Sequence, residues 1–456
     1  MILKAKLFGK VYEFKSLREV MGKANEEKSG DTLAGVGASS VEERVAAKVV
    51  LSHITLEDLR NCPAVPYEED EVTRIIQDDV QEFIYNQIKH WTVAELREWL
   101  LSATTTTEMI KRVSRGLTSE MISAVCKLMS NLDLMYAAKK IRVTAHCNTT
   151  VGLPGTFSSR LQPNHTTDDI KGIMASVMEG FSFGCGDAVL GLNPVDDSVE
   201  NITRIYNEFY EFTQKWEIPT QNCVLSHVTT SMEVLQKNHA PMDLMFQSIA
   251  GSQKGNEAFG LTASMLTEGE DMMLHEGTSE GPNVMYFETG QGSELSSEAH
   301  NGWDQVTMEA RCYGFAKRFH PCLVNTVVGF IGPEYLYDSV QVTRAAIEDH
   351  FMGKLTGIPM GCDDCYTNHM KADQNNCENV TAMLAAAGCN YIMGVPQGDD
   401  CMLMYQCTGY NEAATVREMF DLRPTPEFDV WMEKMGFSEN GKLTPLAGDA
   451  SVFLTR

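Results

Sequence analysis

One stretch of the sequence, GIPMGCDDCYTNH (residues 357–369), holds several side chains that could do chemistry. Cys362, Cys365 and His369 have the residue types and spacing of zinc ligands, and Asp363 and Asp364 lie between the two cysteines. A structural zinc site usually needs four ligands, and no second cysteine pair lies nearby. Adjacent carboxylates would instead suit a cationic substrate. The stretch therefore favours reduced core thiols beside a substrate carboxylate over a zinc site.

The elements that must position these side chains can be predicted from the alternation of the sequence after about residue 145. Eight short apolar runs are separated by helical patterns: TVGLPGTFSSR, DAVLGLN, NCVLSHV, DLMFQSI, NVMYFE, CLVNTVVGF, GKLTGIPMGCD and NYIMGVPQG. Eight strands that alternate with helices are typical of a (β/α)8 TIM barrel, an α/β fold. The main alternative is a doubly wound open sheet, which normally carries a glycine-rich phosphate turn. Neither G-x-G-x-x-G nor G-x-x-x-x-G-K-[ST] occurs, so the sequence predicts the barrel.

Polar side chains end most of these predicted strands. In a (β/α)8 barrel the active site lies at the C-terminal ends of the strands. The runs end on or near Arg160 and Gln162, Asn193 and Pro194, His227, Gln247 and Ser248, Glu288, Phe330, Asp363 and Gln397. Strand ends are often polar because they meet solvent, but a buried charge must be paired or must bind a ligand. Two carboxylates and an amide carbonyl would bind a small ammonium, and an arginine with an asparagine would bind a hydroxyl.

Several function classes find little support in the sequence. No Ser-His-Asp constellation is legible, and no H-x-H follows the first predicted strand, as a metal-dependent barrel hydrolase would need. The formal net charge of −25 disfavours nucleic acid as a partner, although solubility alone explains such a charge. No secretion signal and no apolar run of about 20 residues is present, so we expect a cytoplasmic protein without a membrane partner. The 13 cysteines are then expected to be free thiols in a reducing compartment.

The sequence predicts three parts. Residues 1–140 form a mostly helical region for packing and assembly, residues 141–425 form the barrel, and residues 426–456 form a C-terminal extension. The helical prediction depends on capping boxes such as Thr92-x-x-Glu95, and on the helical apolar spacing of LTSEMISAVCKLMSNLDLMYAAKKI.

Long blocks of the sequence resemble one enzyme family over nearly the whole chain. Among them are SGDTLAGVGA, TTVGLPGTFSSRLQPN, FSFGCGDAVLGLNPV, YFETGQGS, LVNTVVGFIGPEYLY, EDHFMGKLTGIPMGCDDCYTNH and TPLAGD. In these blocks the chain resembles the large subunit of ethanolamine ammonia-lyase, which depends on adenosylcobalamin. The resemblance implies a (β/α)8 barrel behind an N-terminal helical region, in agreement with the strand count. It also implies a radical reaction that converts 2-aminoethanol to acetaldehyde and ammonia.

The resemblance also implies roles for particular residues. For the substrate these are Gln162, Glu288 and Asp363 around the amine, Arg160 and Asn193 at the hydroxyl, and Val327 and Phe330 as pocket walls. For the cofactor they are Pro194, Gln247, Ser248, Ser296, Met393 and Met402. Arg160, Glu288 and Asp363 are further expected to take part in catalysis, and no metal ligand is expected.

Partners and location follow from the same resemblance. It implies a hetero-oligomer with a small subunit, with cobalamin at the junction, and a reactivating factor as a further partner. It also implies a bacterial cytoplasm, with an ethanolamine-utilisation microcompartment as the finer expectation. Two alternatives stay open: a metal-dependent barrel lyase or hydrolase that uses Cys362, Cys365 and His369, and a catalytically silent homologue kept for assembly. All five implied polar substrate residues are present, which favours the lyase.

Overall fold

Each of the eight predicted apolar runs contains a parallel strand. The computed structural model describes residues 2–7 and 9–454. The barrel strands, numbered here from first to eighth, are Ser158–Leu161, Val189–Leu192, Asn222–Val224, Met245–Ser248, Met285–Thr289, Leu323–Val328, Met360–Asp364 and Tyr391–Gly394. The predicted (β/α)8 architecture is therefore confirmed. The strands are shorter than the runs. His227, Phe330 and Gln397, which the sequence predicts at or near strand ends, lie in the loops that follow the third, sixth and eighth strands.

The order of the strands excludes the doubly wound alternative. Hydrogen-bonded neighbours run third, second, first, eighth, seventh, sixth, fifth, fourth. This is the order of a ring, whereas a doubly wound sheet would place the fourth strand beside the first. The ring closes between the third and fourth strands through the N–H of Leu244, which donates to the carbonyl of Asn222 at 3.2 Å. The side chains of Asn222 and Asp243 add reciprocal bonds to backbone N–H groups across the same seam.

Helices follow every strand and form the outer layer of the barrel. They are Ile170–Ser182, Val199–Trp216, Val228–Asn238, Gln253–Ala258, Ala263–Glu276, Ser293–Ser296, Gln305–Lys317, Ser339–Thr356, Gln374–Ala387 and Glu412–Met419. Short strands outside the barrel are Ala145–His146 paired with Thr150–Val151, Tyr366–Thr367 and Asp399–Asp400 paired with Tyr405–Gln406, and Ser438–Glu439 paired with Lys442–Leu443.

Large aromatic side chains fill the interior of the barrel. Tyr286 and Tyr391 are fully buried there, and Phe246 meets the Tyr286 ring edge-on at 5.5 Å. Gly361 in the seventh strand makes room for Tyr391, since a Cβ at that position would lie 2.2 Å from the tyrosine ring. The interior is thus a packed core that closes the floor beneath the C-terminal ends of the strands.

The N-terminal region is mostly helical, as predicted. Its helices are Leu17–Ala24, Ser29–Leu33, Val41–Ser52, Leu56–Arg60, Glu71–Asp78, Glu82–Ile88, Val93–Leu101, Thr107–Ser114, Ser119–Lys127 and Asn131–Lys140. The predicted capping box of Thr92 and Glu95 is confirmed. The region begins with an antiparallel hairpin, Lys4–Leu7 with Lys10–Glu13, which the sequence reading did not predict.

Buried ion pairs connect this N-terminal region to the barrel helices. The Lys127 ammonium lies 2.7 Å from both carboxylate oxygens of Asp304, and both side chains are fully buried. Arg311 bonds at 2.8 Å to Asp70 and at 2.7 Å to Glu120. The helical region is therefore held against the barrel by paired charges as well as by apolar contacts. The domain boundaries at residues 140 and 425 stay a prediction.

The C-terminal segment packs on the outside of the barrel through aromatic rings. Its helix, Pro426–Met435, places Trp431 edge-on to Phe181 at 6.1 Å. Phe453, near the end of the described chain, meets Trp216 edge-on at 5.1 Å. These contacts cover the first two helices of the barrel layer.

Candidate active site

A cavity of about 490 Å³ opens at the C-terminal ends of the barrel strands. Its polar lining includes Gln162 after the first strand, Asn193 after the second, Glu288 on the fifth and Asp363 on the seventh. Apolar side chains from the loops complete the wall. This volume suits a small organic ligand, and the site has few but convergent polar groups, as ligand sites usually do.

Arg160 and Glu288 form the charged base of one side of the cavity. Arg160 is fully buried and donates from Nη1 to Glu288 and to the hydroxyl of Tyr286, both at 2.5 Å. Gly191 leaves space for it, because a Cβ there would lie 2.9 Å from the guanidinium Nε. Burial alone disfavours the charged guanidinium, but Tyr286 and Glu288 outweigh that effect and raise the pKa of Arg160. The guanidinium of Arg160 is therefore kept charged, and Glu288, whose side chain is 16% exposed, presents this ion pair to the cavity.

The remaining donors around Glu288 also come from the barrel interior. Tyr286 donates to Glu288 at 2.8 Å, and the amide of Asn325 approaches the same oxygen at 3.4 Å. Arg160 Nη2 makes one long contact, 3.5 Å to Asn193. Some N–H donors of the guanidinium therefore remain available for an oxygen of a ligand.

Asp363 lies on the other side and is held by two donors from the loop after the eighth strand. Tyr405 donates to one carboxylate oxygen at 2.9 Å, and the thiol of Cys407 donates to the other at 2.7 Å. Burial raises the pKa of Asp363 to about 7, with the nearby Glu288 charge adding to the effect. Burial also raises the pKa of Cys407 far above the usual value for a thiol, so Cys407 is a neutral donor. Asp363 is thus a carboxyl group that can change its charge near neutral pH.

Gln162 is held on the same side of the site as Asp363, because both bond to Tyr405. Its amide Nε2 donates to Asp400 at 2.6 Å and to Tyr405 at 3.1 Å, which fixes the orientation of the side chain. Asp400 also accepts a bond from Asn164 at 2.8 Å. The carbonyl oxygen of Gln162 is buried and has no partner among the described residues, 2–7 and 9–454. A buried acceptor without a partner is costly, so this oxygen indicates a ligand with a donor.

The polar set can bind a small cation. Two carboxyl groups and an amide carbonyl line the cavity, Asn193 lies beside them, and N–H donors of Arg160 lie directly behind Glu288. Such an arrangement would hold a molecule with an ammonium at one end and a hydroxyl at the other. It also places fixed charges around any ammonium that moves or departs.

We expect the carboxyl group of Asp363 to control the acid side of the pH profile. When it is protonated it cannot pair with a substrate ammonium, so kcat/KM should fall as the pH drops below about 7. Tyr405→Phe removes a bond that stabilises the carboxylate, and this limb should move about one unit to higher pH. The measurement is kcat/KM against pH for both proteins.

A suitable control is Tyr67→Phe, which removes a tyrosine–carboxylate bond to Asp78 on an exposed surface. That variant should keep the wild-type profile. A Tyr405→Phe profile with an unmoved acid limb would show that Asp363 does not set it.

Comparison with known proteins gives the chain a family. Residues 12–446 match the family model described as ethanolamine ammonia lyase large subunit. The ethanolamine ammonia-lyase large subunits of Escherichia coli K12 and Salmonella typhimurium LT2 are each 57% identical to the chain, over 99% of its length and 100% of theirs. The chain belongs to the ethanolamine ammonia-lyase large-subunit family. The resemblance in the sequence blocks is therefore confirmed.

The structure brings many of the residues implied for this family to one cavity. The lining includes Gln162, Asn193, Gln247, Ser248, Glu288, Val327, Phe330 and Asp363. Arg160 lies directly behind Glu288 and outside the lining. Asp364, next to Asp363 in the sequence, faces away and accepts a bond from Thr381 at 2.6 Å in the helix layer. The roles of these residues toward substrate and cofactor stay predictions.

The other residues implied for the cofactor lie outside the cavity lining. Pro194 and Met402 are half-buried in loops after the second and eighth strands, and Ser296 is exposed on the helix Ser293–Ser296. Met393 is buried in the eighth strand, in a cluster with Cys365, Tyr405 and Cys407. In this conformation Met393 supports the wall behind Tyr405.

The side chains of the zinc alternative do not converge. Cys362 packs in one apolar cluster, and Cys365, just after the seventh strand, packs in another. Cys365 donates to the carbonyl of Val328 at 2.9 Å, and His369 is exposed. The stretch that opens the sequence analysis is therefore a barrel strand with two core thiols and one cavity carboxyl, as the sequence favoured.

Sequence reasoning missed the residues that orient the predicted ones. These are Tyr286, Asn325, Asp400, Tyr405 and Cys407. One signal was available for Asn325, a polar residue inside the apolar run CLVNTVVGF that lies in register with Glu288 on the neighbouring strand. The loop residues gave no such signal.

Proposed function

We propose that this chain is the catalytic large subunit of an enzyme that converts ethanolamine to acetaldehyde and ammonia with adenosylcobalamin. The observation that supports it most is the cavity. There the buried carbonyl of Gln162 and the carboxyl groups of Glu288 and Asp363 form a site for a small ammonium. Full-length similarity to proteins named ethanolamine ammonia-lyase large subunit supports the same substrate.

The residues of the chain would divide the work by charge. Gln162, Glu288 and Asp363 would hold the substrate ammonium, and ionised Asp363 would be the form that binds it. Arg160 and Asn193 would hold the hydroxyl group. Because these groups are fixed by bonds to other side chains, they would stabilise charge along the path of the amine without reorganising.

The cavity mouth fits a large cofactor with apolar faces. Exposed apolar side chains lie in the loops after the second, sixth and eighth strands, where Val195 is 52%, Phe330 40% and Met404 67% exposed. The cavity suits a ligand of a few hundred daltons, so the corrin would have to cover the mouth rather than enter it. Bound adenosylcobalamin would supply the radical that removes a hydrogen atom from the substrate, and Phe330 and Val327 would help to exclude water.

The same open mouth of the cavity supports a small subunit as the partner of this chain. A small subunit that covers the open mouth would complete a hetero-oligomer and enclose the cofactor, and a reactivating factor would act on that complex. Among the described residues, the structure contains no helix with the length and apolar character needed to cross a membrane. A bacterial cytoplasmic location, including an ethanolamine-utilisation microcompartment, is the location we propose.

The test combines the chain with a small subunit of this family and adenosylcobalamin under anaerobic conditions. On addition of ethanolamine we expect acetaldehyde and ammonia in equal amounts, together with a change in the visible spectrum of the cofactor. A complex that binds cobalamin but gives neither signal would reject the enzyme in favour of the silent assembly homologue. Activity that needs no cobalamin and is lost to a chelator would favour the metal-dependent alternative.

A further inference from the structure

A second, smaller concavity lies at the opposite end of the barrel from the active site. It has a volume of about 80 Å³ and lies beside the loop 152–156, which precedes the first strand. Three cationic side chains line it, Lys139, Arg142 and Lys354, together with Gly388 and Asn390. They come from the end of the N-terminal helical region, from the helix Ser339–Thr356 and from the end of the helix Gln374–Ala387.

Lys354 is the buried member of this group. The residue is only 4% exposed, and its Nζ donates to the carbonyl of Gly388 at 2.6 Å. An ammonium carries three N–H donors, so one carbonyl leaves part of its capacity unused. A buried ammonium needs further acceptors or a counter-charge, because burial of an incompletely paired charge is costly.

The other two cations approach the same point from the surface. Gly388 lies between Lys139 and Lys354, since a Cβ on Gly388 would lie 3.5 Å from Lys139 Cδ and 3.6 Å from Lys354 Nζ. The residues that line the concavity include neither aspartate nor glutamate. In the part of the chain that the structure describes, none of the three cations forms an ion pair.

Such a group of cations is unexpected in this chain. It has 62 acidic residues against 37 lysines and arginines, so carboxylates are abundant as partners. Burial, together with the charges of Lys139 and Arg142, lowers the pKa of Lys354 to about 8. The three positive charges therefore repel one another around a concavity that lacks a negative charge.

We propose that this concavity binds one small inorganic oxyanion of the phosphate or sulfate class. Its volume corresponds to two or three waters at roughly 30 Å³ each, which is enough for one tetrahedral oxyanion and too small for a nucleotide. Lys354 would donate a buried, charge-assisted bond, and Lys139 and Arg142 would cover the outer oxygens. The anion would connect the N-terminal helical region to two barrel helices, and it would stabilise the fold by mass action.

The test is a calorimetric titration of the full chain with phosphate and with sulfate at pH 7, with sodium chloride holding the ionic strength constant. We expect saturable binding to one site. In the double variant Lys139→Gln/Arg142→Gln binding should be about tenfold weaker or worse, because two charge-assisted contacts are lost. Lys111→Gln, which removes an exposed cation from a different helix, should bind as the wild type does.

Two further measurements make the outcome decisive. Binding of sulfate, whose own charge is constant in this range, should weaken between pH 7 and pH 9, as Lys354 loses its proton. Lys354→Met should abolish binding, and the double surface variant covers the case in which that protein does not fold. The absence of saturable heat with both anions, or equal binding by the wild type and the double variant, would overturn the proposal. Lys354 would then only cap the helix Gln374–Ala387.

Discussion

Asp363→Asn should lower kcat/KM for ethanolamine by about 10²–10³-fold, which is the usual effect of removing one preorganised polar group that stabilises developing charge. Asparagine keeps the shape of the side chain but cannot pair with an ammonium. Its amide would also present N–H donors to a cavity in which Tyr405 and Cys407 already donate. The loss should therefore appear in substrate binding and in the chemical step together.

The same substitution should leave the fold nearly intact. Because the pKa of Asp363 is raised from 3.8 to about 7, its native form is largely protonated below that pH, whereas the unfolded chain is ionised above 3.8. Its contribution to stability is full below pH 3.8 and is lost as the pH rises to about 7. At pH 6 a neutral asparagine therefore replaces a largely neutral acid, and the unfolding temperature should change little.

Asp364→Asn is the matched control for this prediction. The residue is adjacent in the sequence and equally buried, but it bonds to Thr381 behind the strand. We expect nearly wild-type kcat/KM, measured with the small subunit and adenosylcobalamin present. Equal losses in the two variants, or a change below about threefold in Asp363→Asn, would show that Asp363 does not bind the amine.

The barrel could be predicted from the sequence because its strands are buried on both faces. Buried parallel strands appear as short apolar runs, and all eight runs contain a strand. The polar residues that end those runs, such as Glu288 and Asp363, then lie together as a consequence of the topology. Chain order and strand ends were thus sufficient to predict the cavity and much of its polar lining.

The supporting residues could not be predicted in the same way. Asp400, Tyr405 and Cys407 lie in the segment after the eighth strand, which has only two-residue strands, and their contacts with Gln162 and Asp363 span more than 40 positions. The conformation of such a connecting segment depends on the packing around it rather than on any local pattern. The N-terminal hairpin was missed for a different reason, since its strands have only four residues each.

The buried ion pairs between the N-terminal region and the barrel were equally invisible in the sequence. Lys127 is 177 positions from Asp304, and neither residue belongs to a motif. Asp304 is also the N-cap of the helix Gln305–Lys317. The same carboxylate therefore caps a barrel helix and pairs with Lys127 of the N-terminal region. The sequence predicted a separate helical region, but it gave no indication of how strongly that region is bound.

Lys127→Met should destabilise the protein by about 3–5 kcal/mol, because it leaves the carboxylate of Asp304 buried without its counter-charge. Methionine matches the length of the lysine side chain, so the main change is the loss of charge. Asp304 would keep only its bonds from Thr307, a backbone N–H at 3.0 Å and a hydroxyl at 2.8 Å. The measurement is the denaturant midpoint of the full chain, followed by tryptophan fluorescence.

Two further variants separate this cause from a general packing defect. Lys127→Met/Asp304→Asn should recover part of the lost stability, since asparagine removes the unpaired charge and is also a good N-cap residue. Lys237→Met breaks a surface pair with Glu233, in which the two side chains are 64% and 45% exposed, and it should cost at most about 1 kcal/mol. If the double variant were no more stable than Lys127→Met, the buried charge would not be the cause.

The shape of the unfolding transition shows whether the helical region and the barrel unfold together. If the ion pairs make the helical region and the barrel one cooperative unit, a single transition should move to lower denaturant concentration in Lys127→Met. If the region unfolds first, two transitions should separate, and the double variant should bring them together again. In either case the effect would arise at Asp304, on the helix that follows the strand carrying Glu288. The N-terminal region would then contribute to holding the active site in place, although it supplies none of the residues that line the cavity.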